Sequence, residues 1–146
     1  MAKQNNGVGI AFGMPLVFSD GTEITFTAGD LILNCCFINN IRAHGNGLRF
    51  VNSPGTFNPN NRTHRLTSYG IGAGIGAGFI LRNFLSESNG GIGLYIYTGW
   101  QPVKVIREGY LENNCRNSGL DPATDMVNMF IDNIDDNGYG LVISDI

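Results

Sequence analysis

The sequence predicts one domain built almost wholly of β-strands, and its composition carries that prediction. Glycine (21 residues) and asparagine (18 residues) are both heavily used, as in chains rich in strands and turns. Apolar residues make up an ordinary 42%, while charged residues make up 14%, against about 25% in typical soluble domains. A disordered chain would be charged and poor in apolar residues, so we expect residues 1–146 to fold as one domain.

A run of alternating glycines, Gly70–Gly78, predicts a buried strand. Successive side chains of a strand point to opposite faces. One face of this strand would therefore carry the apolar residues Ile71, Ala73, Ile75 and Ala77. The other face would be bare backbone, which is useful where a neighbouring rung, sheet or chain packs closely. We therefore expect Gly74→Val to disrupt folding or assembly.

Strand-like segments lie on both sides of this run. They are Gly7–Phe18, Thr22–Thr27 and Leu31–Ile41 before it, and Phe79–Leu85, Ile92–Thr98, Val103–Leu111 and Leu141–Ile143 after it. The dipeptide Asp20-Gly21 favours a tight turn between the first two. Each of these segments is rich in the β-branched and aromatic residues that strands favour.

Two segments do not follow this strand pattern. Residues 53–68 hold few large apolar residues and predict an irregular excursion or long loop, a feature that is often functional. Asp121–Met129 is the best helix candidate, with Asp121 as N-cap and Pro122 at the first helical position. The overlapping stretch Val127–Ile134 fits a strand equally well.

An internal repeat joins these strands. A glycine turn followed by an aliphatic residue recurs, with its last glycine at positions 9, 47, 93 and 140. The last two spacings, 46 and 47 residues, correspond to two turns of about 23 residues each. An upstream part, an apolar residue followed three positions later by asparagine, begins at Phe37, Ile80 and Phe130, with a degenerate copy at Leu111. Stacked copies would align their asparagines in a ladder over a common apolar interior, as in β-solenoids.

This repeat resembles the rungs of right-handed parallel β-helices. The resemblance rests on Phe-x-x-Asn followed by Gly-x-Gly-Leu, in the stretches Phe37–Phe50, Ile80–Ile96 and Phe130–Ile143. Such rungs occur in pectate-lyase-like enzymes, phage tailspikes and polymorphic outer-membrane adhesins. The resemblance implies a right-handed parallel β-helix. The alternative is a β-sandwich or jelly roll in which the Asn-Gly pairs form hairpin turns.

Charge and targeting signals narrow the function classes. The net charge of −3 provides no basic surface for nucleic acid or for an anionic membrane. The longest glycine-and-apolar run, Gly70–Leu81, is shorter than the roughly 20 residues that span a bilayer. No signal peptide precedes the strands. We expect synthesis in the cytoplasm and a final place on a virion or other extracellular particle surface.

Catalytic, metal and cofactor motifs are weak. The cysteines Cys35, Cys36 and Cys115 lack metal-ligand spacing and are expected to be small buried residues. A loose dinucleotide fingerprint in the glycine run lacks a following helix pattern. Neither His44 nor His64 accompanies a nucleophile motif. We therefore predict no enzyme, no cofactor and no metal.

Paired carboxylates support a polysaccharide hydrolase or lyase as the runner-up function. Such enzymes use two acidic residues, and Asp132, Asp135 and Asp136 are clustered. The alternative is that these residues are solvent-exposed decoration of a turn.

Four neighbouring residues form the predicted binding site, namely Tyr95, Tyr97, Trp100 and Gln101. Tyr95 and Tyr97 share one face of a strand, and aromatic rings stack on sugar rings or pack in interfaces. Burial in the core or in a subunit interface is the alternative for these rings.

The sequence as a whole predicts a non-enzymatic structural or receptor-binding protein. A component of a phage or virus-like particle, such as a spike, fibre tip or capsid decoration, is the favoured interpretation. We predict a homo-oligomer, with a trimer favoured because strands with a glycine face can meet near a threefold axis, and contacts with other virion or surface proteins. A carbohydrate-binding or polysaccharide-degrading β-helix module and a self-assembling surface filament are the alternatives.

Overall fold

The structure is a computed structural model and describes residues 1–18, 22–24, 37–47, 57–74, 79–98, 104–116, 128–133 and 141–146. Strands dominate these residues, which confirms the all-β prediction. In chain order the elements are β1 (Ala2–Lys3), β2 (Val8–Phe12), β3 (Leu16–Val17), β4 (Glu23–Ile24), β5 (Phe37–Asn39), β6 (Arg42–His44), α1 (Arg62–Thr67), β7 (Tyr69–Ala73), β8 (Phe79–Glu87), β9 (Ile92–Thr98), β10 (Lys104–Glu112), β11 (Met129–Asn133) and β12 (Leu141–Ser144).

Two parallel sheets contain most of these strands. Sheet 1 has the order β1-β6-β8-β10-β12, and β5 also pairs with β8. Sheet 2 has the order β2-β7-β9-β11. The strands β3 and β4 pair antiparallel on either side of Asp20-Gly21, where a tight turn was predicted. Parallel pairing is not the arrangement of a β-sandwich or jelly roll, whose sheets are antiparallel.

The chain passes alternately through the two sheets, and we call each pass a rung. Rung 1 is β1 and β2, rung 2 is β5, β6 and β7, rung 3 is β8 and β9, rung 4 is β10 and β11, and rung 5 is β12. Successive rungs are neighbours in both sheets. We call the residues that stand opposite one another in successive rungs a column. One column of sheet 1, for example, contains Ile38, Leu81, Ile106 and Ile143.

Both sheets contribute to one apolar core. Its buried members include Leu81 and Ile106 from sheet 1 and Ile71 and Leu94 from sheet 2, all 0% exposed. A second buried cluster lies on the other face of sheet 2, where Leu66 of α1 contributes to it. The strands β9 and β11 therefore have apolar side chains on both faces, as expected of buried parallel strands.

A column of left-handed residues bends rungs 2 to 5 within sheet 1. This exposed bend contains Asn40, Asn83, Glu108 and Asp145, all with φ between 54 and 66°. Residues with side chains adopt this region at a cost, so its recurrence at one aligned position marks a required bend. The Nδ2 of Asn83 donates to the Oδ1 of Asn40 across 2.8 Å. Residues Phe37 and Ile80 are also opposite each other, which confirms the predicted alignment of these two repeat copies.

A second column of asparagines lies where the rungs turn from sheet 1 to sheet 2, and its members after Asn5 are buried. We call it the ladder, and its members are Asn5, Asn46, Asn89 and Asn114. The backbone N and the Nδ2 of Asn46 donate to the Oδ1 of Asn89 across 2.9 and 3.0 Å. The same pair of bonds joins the other neighbours. The prediction of an asparagine ladder is confirmed, but most of its members are not the asparagines of the predicted repeat.

Glycines of sheet 2 make room for this ladder. Residues Gly9, Gly70 and Gly93 occupy one column. A Cβ at these positions would lie 2.7, 2.5 and 2.3 Å from the Nδ2 of the facing ladder asparagine. Such distances are far below ordinary contact, so no side chain fits there without a shift. The predicted close approach to a glycine face is confirmed at Gly70.

The rest of the glycine run agrees with its prediction as far as the structure describes it. The apolar residues Ile71 and Ala73 are both 0% exposed and share the core. A Cβ at Gly74 would lie 2.1 Å from the carbonyl oxygen of Gly13. Residues 75–78 lie outside the described residues.

Three sequence predictions need correction. The repeat copy at Phe130 lies in sheet 2 beside Tyr95, so it is not equivalent to the copies at Phe37 and Ile80 in sheet 1. The degenerate copy at Leu111 places Asn114 in the ladder and not at the exposed bend. Ladder neighbours are 41, 43 and 25 residues apart in sequence, so a constant turn of about 23 residues is also wrong.

The described helix, α1, lies in a segment that was predicted to be an excursion or long loop. The excursion at 53–68 contains α1, which begins after the N-cap Asn61, whose Oδ1 accepts from His64 N across 3.2 Å. The predicted helix at Asp121–Met129 lies mostly outside the described residues. The strand alternative is confirmed for Met129–Asn133, which pairs with β9.

Candidate functional site

The two predicted binding tyrosines lie side by side on the outer face of sheet 2. Tyr95 is 0% exposed and Tyr97 is 5% exposed. They share a face, as predicted, but the second apolar cluster buries both rings. This burial corresponds to the core alternative. Trp100 and Gln101 lie outside the described residues, so a binding role for the four residues remains a prediction.

Tyr95 is held by a carboxylate. Its hydroxyl donates to the Oδ2 of Asp132 across 2.6 Å. Burial raises the pKa of Tyr95 above its ordinary value, and the bond to Asp132 raises it further. The hydroxyl therefore keeps its proton at neutral pH and acts as a donor. Asp135 and Asp136, the other members of the predicted acidic cluster, lie outside the described residues.

Two arginines of α1 complete this group. Arg62 pairs closely with Glu23, and its Nε lies 3.8 Å from the Oδ2 of Asp132. The bond to Glu23 raises the pKa of Arg62. Its guanidinium carbon also lies 6.0 Å from the centre of the Tyr97 ring. Cation–π attraction acts at this distance.

The second arginine, Arg65, packs on sheet 2. Its guanidinium carbon lies 4.0 Å from the centre of the Phe130 ring, and its Nη1 donates to the Pro59 carbonyl across 3.2 Å. The contact with Phe130 joins the excursion to sheet 2, and the bond to Pro59 holds the arginine within the excursion. The group of Arg62, Arg65, Tyr95 and Asp132 therefore fastens α1 onto the sheet, and sequence reasoning missed the two arginines because their partners are distant in the chain.

The two histidines and the one described cysteine do not form a common cluster. His44 Nδ1 is 3.2 Å from Glu87 Oε1 in sheet 1. His64 accepts a bond from the backbone N of Asn58, and burial lowers its pKa. Cys115 is buried, as expected, and forms no disulfide, and Cys35 and Cys36 lie outside the described residues. In the described part of the chain, no three His, Cys, Asp or Glu residues are grouped as metal ligands.

A groove of about 230 Å³ opens on sheet 1 at the exposed bend. Its polar lining includes Arg42, Asn83, Glu108 and Tyr110. Tyr110 is 55% exposed, so its ring is accessible. Glu108 pairs with Arg82 across 2.6 Å, whereas no described residue pairs with Arg42. The groove therefore offers an aromatic ring, an amide and a guanidinium to a ligand, and the predicted site included none of these residues.

A row of apolar residues crosses the face of sheet 1 that no described helix or strand covers. One column there consists of Phe37, Ile80, Val105 and Val142. Its two outer members are 57% and 53% exposed, and the two inner members are half-buried. We call this column the apolar row. Exposed contiguous apolar surface of this kind is typical of interaction sites.

Among the described residues, none belongs to a helix of the length and hydropathy that crossing a membrane requires. Comparisons with protein-family models, curated proteins and solved structures found no match to this chain. The groove and the apolar row are therefore interpreted from their own geometry.

Proposed function

We propose that the chain is a right-handed parallel β-helix that serves as a structural or receptor-binding component of a phage or virus-like particle, without catalysis. The apolar row across the open face of sheet 1 is the observation that carries this proposal. The ladder and the two parallel sheets support the β-helix interpretation, because they supply a stack of rungs with a buried polar column. A rigid stack with one uncovered face suits a part that binds other subunits or a receptor.

In the proposed assembly, copies of the chain pack side by side through the apolar row. We call this lateral assembly. The half-buried members of the row, Ile80 and Val105, lie between the exposed ends, so a neighbouring copy would cover a continuous strip. A trimer remains our favoured state. Low charge also suits a surface that is covered after assembly, because charged residues are depleted at interface cores.

A measurement of the oligomeric state tests the proposed structural function. Native mass spectrometry and light scattering at micromolar concentration should give one fixed stoichiometry above the monomer. Ile80→Asp and Val105→Asp should each dissociate it, because a buried charge without a partner is costly. Ala11→Asp, an exposed position on sheet 2, is the control and should leave the assembly intact. A monomeric wild-type protein would remove the lateral assembly.

The groove favours a second candidate, a carbohydrate-binding or polysaccharide-degrading module. An exposed aromatic ring beside amide and charged groups is the residue combination that fixes sugars in a site. We expect Tyr110→Ala to abolish binding on a glycan array and Tyr69→Phe, in the buried second cluster, to leave it unchanged. Absence of binding, together with no loss of viscosity in capsular polysaccharide, would exclude this candidate.

A further inference from the structure

The two ends of sheet 1 are complementary parts of one rung. At the first end, β1 pairs only with β6, so the outer edge of β5 has no partner strand among the described residues. At the last end, β12 pairs with β10 over Lys104–Arg107, which leaves the outer edge of Tyr110–Glu112 uncovered by any described strand. The strand β12 occupies the columns of β5, and β1 occupies the columns of β6.

The described strands of these two partial rungs occupy different columns. Counting on from the register, Ile146 falls in the column of Ile41. Counting back, Met1 falls in the column of Arg42. The residues 142–146 of one copy and 1–3 of a second copy would therefore lie in different columns of the Phe37–His44 segment.

The side chains at these ends match in charge and in apolar character. The column of Lys3 continues through His44 and Glu87 to Glu112. End-to-end stacking would place Lys3 of one copy beside Glu112 of the other. His44 and Glu87 already make such a contact across 3.2 Å between neighbouring rungs.

Sheet 2 offers a matching apolar contact. Ile131 of the last strand is 41% exposed. Its column continues through Ile96 and Ala73 to Phe12 of the first strand. Phe12 of a second copy would therefore cover Ile131.

Asn128 would overlap with a second copy in this end-to-end contact. Asn128 immediately precedes the Met129–Leu94 pair, so it occupies the column of Gly93. Its Oδ1 accepts from the backbone N and Nδ2 of Asn114 across 3.1 and 2.9 Å. These are the bonds that the asparagine of a following rung would accept. Asn128 thus ends the ladder at the place that Asn5 of a second copy would need.

The distances at the glycines of this column show how close Asn128 and an asparagine of a second copy would be. At Gly9, Gly70 and Gly93, a Cβ would approach the facing asparagine to within 2.7 Å or less. Asn128 has a Cβ, so a ladder asparagine from a second copy would overlap it. Natural β proteins protect open strand edges against uncontrolled pairing, and a side chain that fills the ladder position has that effect.

We propose that the two ends of the stack form a complementary interface for a second copy of this chain and that Asn128 closes this interface. The proposal rests on the stacked architecture proposed above and not on the lateral contact. It assigns Asn128 two roles, because the residue satisfies the last ladder donors and also excludes Asn5 of another copy.

Two substitutions at Asn128 separate these roles. Both Asn128→Gly and Asn128→Ala remove the acceptor for Asn114, but only glycine also removes the Cβ. We expect Asn128→Gly to form an open-ended series of oligomers in sedimentation velocity, with a midpoint concentration at least about tenfold below that of wild type, the equivalent of one to two recovered hydrogen bonds. Asn128→Ala should assemble no more than wild type. Equal assembly of the two variants, or none in the glycine variant, would overturn the proposal.

Charge exchange tests the direction of assembly. In the Asn128→Gly background, Lys3→Glu should weaken the oligomers because it places two carboxylates together between copies. Adding Glu112→Lys should restore them. A lateral contact through the apolar row would give a fixed stoichiometry and no response to this exchange, so failure of the end-to-end contact and failure of the lateral assembly are distinguishable.

A tandem protein keeps the test valid if the single Asn128→Gly chain does not fold. Two copies are joined directly, with Ile146 of the first bonded to Met1 of the second. With Asn128→Gly in the first copy, Asn5 of the second copy supplies the missing acceptor, and we expect the tandem protein to unfold as one cooperative unit, with a van't Hoff enthalpy equal to the calorimetric enthalpy. With the wild-type residue, the two halves should unfold independently, which gives a van't Hoff enthalpy of about half the calorimetric enthalpy. The same enthalpy ratio in both tandem proteins would contradict the role of Asn128.

Discussion

The exposed bend and the ladder both use asparagine, but for different physical reasons. The exposed bend contains Asn40, Asn83, Glu108 and Asp145, all with positive φ. Its side chains differ and reach solvent. This column therefore requires the left-handed backbone conformation and not one particular side chain. The ladder has asparagine at every position, and its members Asn46, Asn89 and Asn114 do not have positive φ.

The difference shows what the ladder requires of its side chains. Each inner asparagine accepts two bonds through Oδ1 and donates through Nδ2. An aspartate would keep the acceptor and lose the donor, and an alanine would lose both. A buried polar group without its partner is costly, so we expect the ladder to be intolerant of change and the exposed bend to be tolerant.

The largest expected effect is that of Asn89→Asp in the ladder. The Nδ2 of Asn89 donates to Asn114 Oδ1 across 2.8 Å and to Ser86 Oγ across 3.0 Å. A carboxylate there would face acceptors in a buried site. We expect the free energy of unfolding to fall by about 3–5 kcal/mol, as for other uncompensated buried charges. Urea denaturation measures this change.

The matched control is Asn83→Asp at the exposed bend, where the same chemical change should lower the free energy of unfolding by less than about 1 kcal/mol. Equal losses at the two positions would show that the buried amide column has no special role.

The next largest effect is expected at Gly74. A Cβ there would lie 2.1 Å from the Gly13 carbonyl oxygen, which is backbone and not free to rotate away. Gly74→Val should lower the free energy of unfolding by roughly 3 kcal/mol, or prevent folding. Thermal unfolding followed by circular dichroism measures it. Ala11→Val, at an exposed position of β2, should leave the melting temperature nearly unchanged, and a similar loss at both positions would contradict the close packing.

A smaller effect concerns the group that fastens α1. Tyr95→Phe removes the donor to Asp132, and bonds to charged groups are worth about 1.5–3 kcal/mol. We expect a loss near the lower end of that range, because Arg62 still lies beside Asp132. Denaturation at neutral pH compares the variant with wild type, and an unchanged stability would contradict a fastening role.

The same substitution changes the response to alkaline pH. Burial raises the pKa of Tyr69 and of Tyr95 above the ordinary 10.0, so the folded state keeps protons that the unfolded chain releases. Stability is therefore full below pH 10 and falls as the pH rises above that value. Denaturation between pH 9 and 11 should show a shallower fall in Tyr95→Phe, and identical slopes would exclude Tyr95 as a source.

The smallest effect is a gain of stability. Ser88 has a φ of 55° and lies in the column of Gly45, whose φ is 68°. Ser88→Gly removes the side chain from a left-handed position and should raise the free energy of unfolding by about 0.5–1 kcal/mol. A loss in urea denaturation would indicate that the hydroxyl has a role of its own.

Several features of the fold could be predicted from local sequence. Alternation within short segments predicts the strands and the buried side chains of Ile71 and Ala73. The repeat predicts the pairing of Phe37 with Ile80, because each copy of its motif is only a few residues long. The helix α1 was missed although its N-cap signal, Asn61, lies in the sequence. Its few apolar residues, Leu66 among them, gave too weak a helical pattern.

Tertiary structure decided which asparagines form the ladder. The chain offers 18 asparagines, many beside glycine, and local sequence does not distinguish them. Register does, because a ladder position needs a glycine of the facing column within reach. Gly70 faces Asn89 although the two are far apart in the chain.

The candidate sites also depended on tertiary structure. Tyr95 and Tyr97 share a face because strands alternate, and sequence alone determined that relation. Their burial depends on the second apolar cluster, whose members Met14, Phe57 and Leu66 come from other parts of the chain. The groove at Tyr110 and the position of Asn128 at the end of the ladder likewise arise from stacking, because neighbouring rungs bring together residues that no short segment contains.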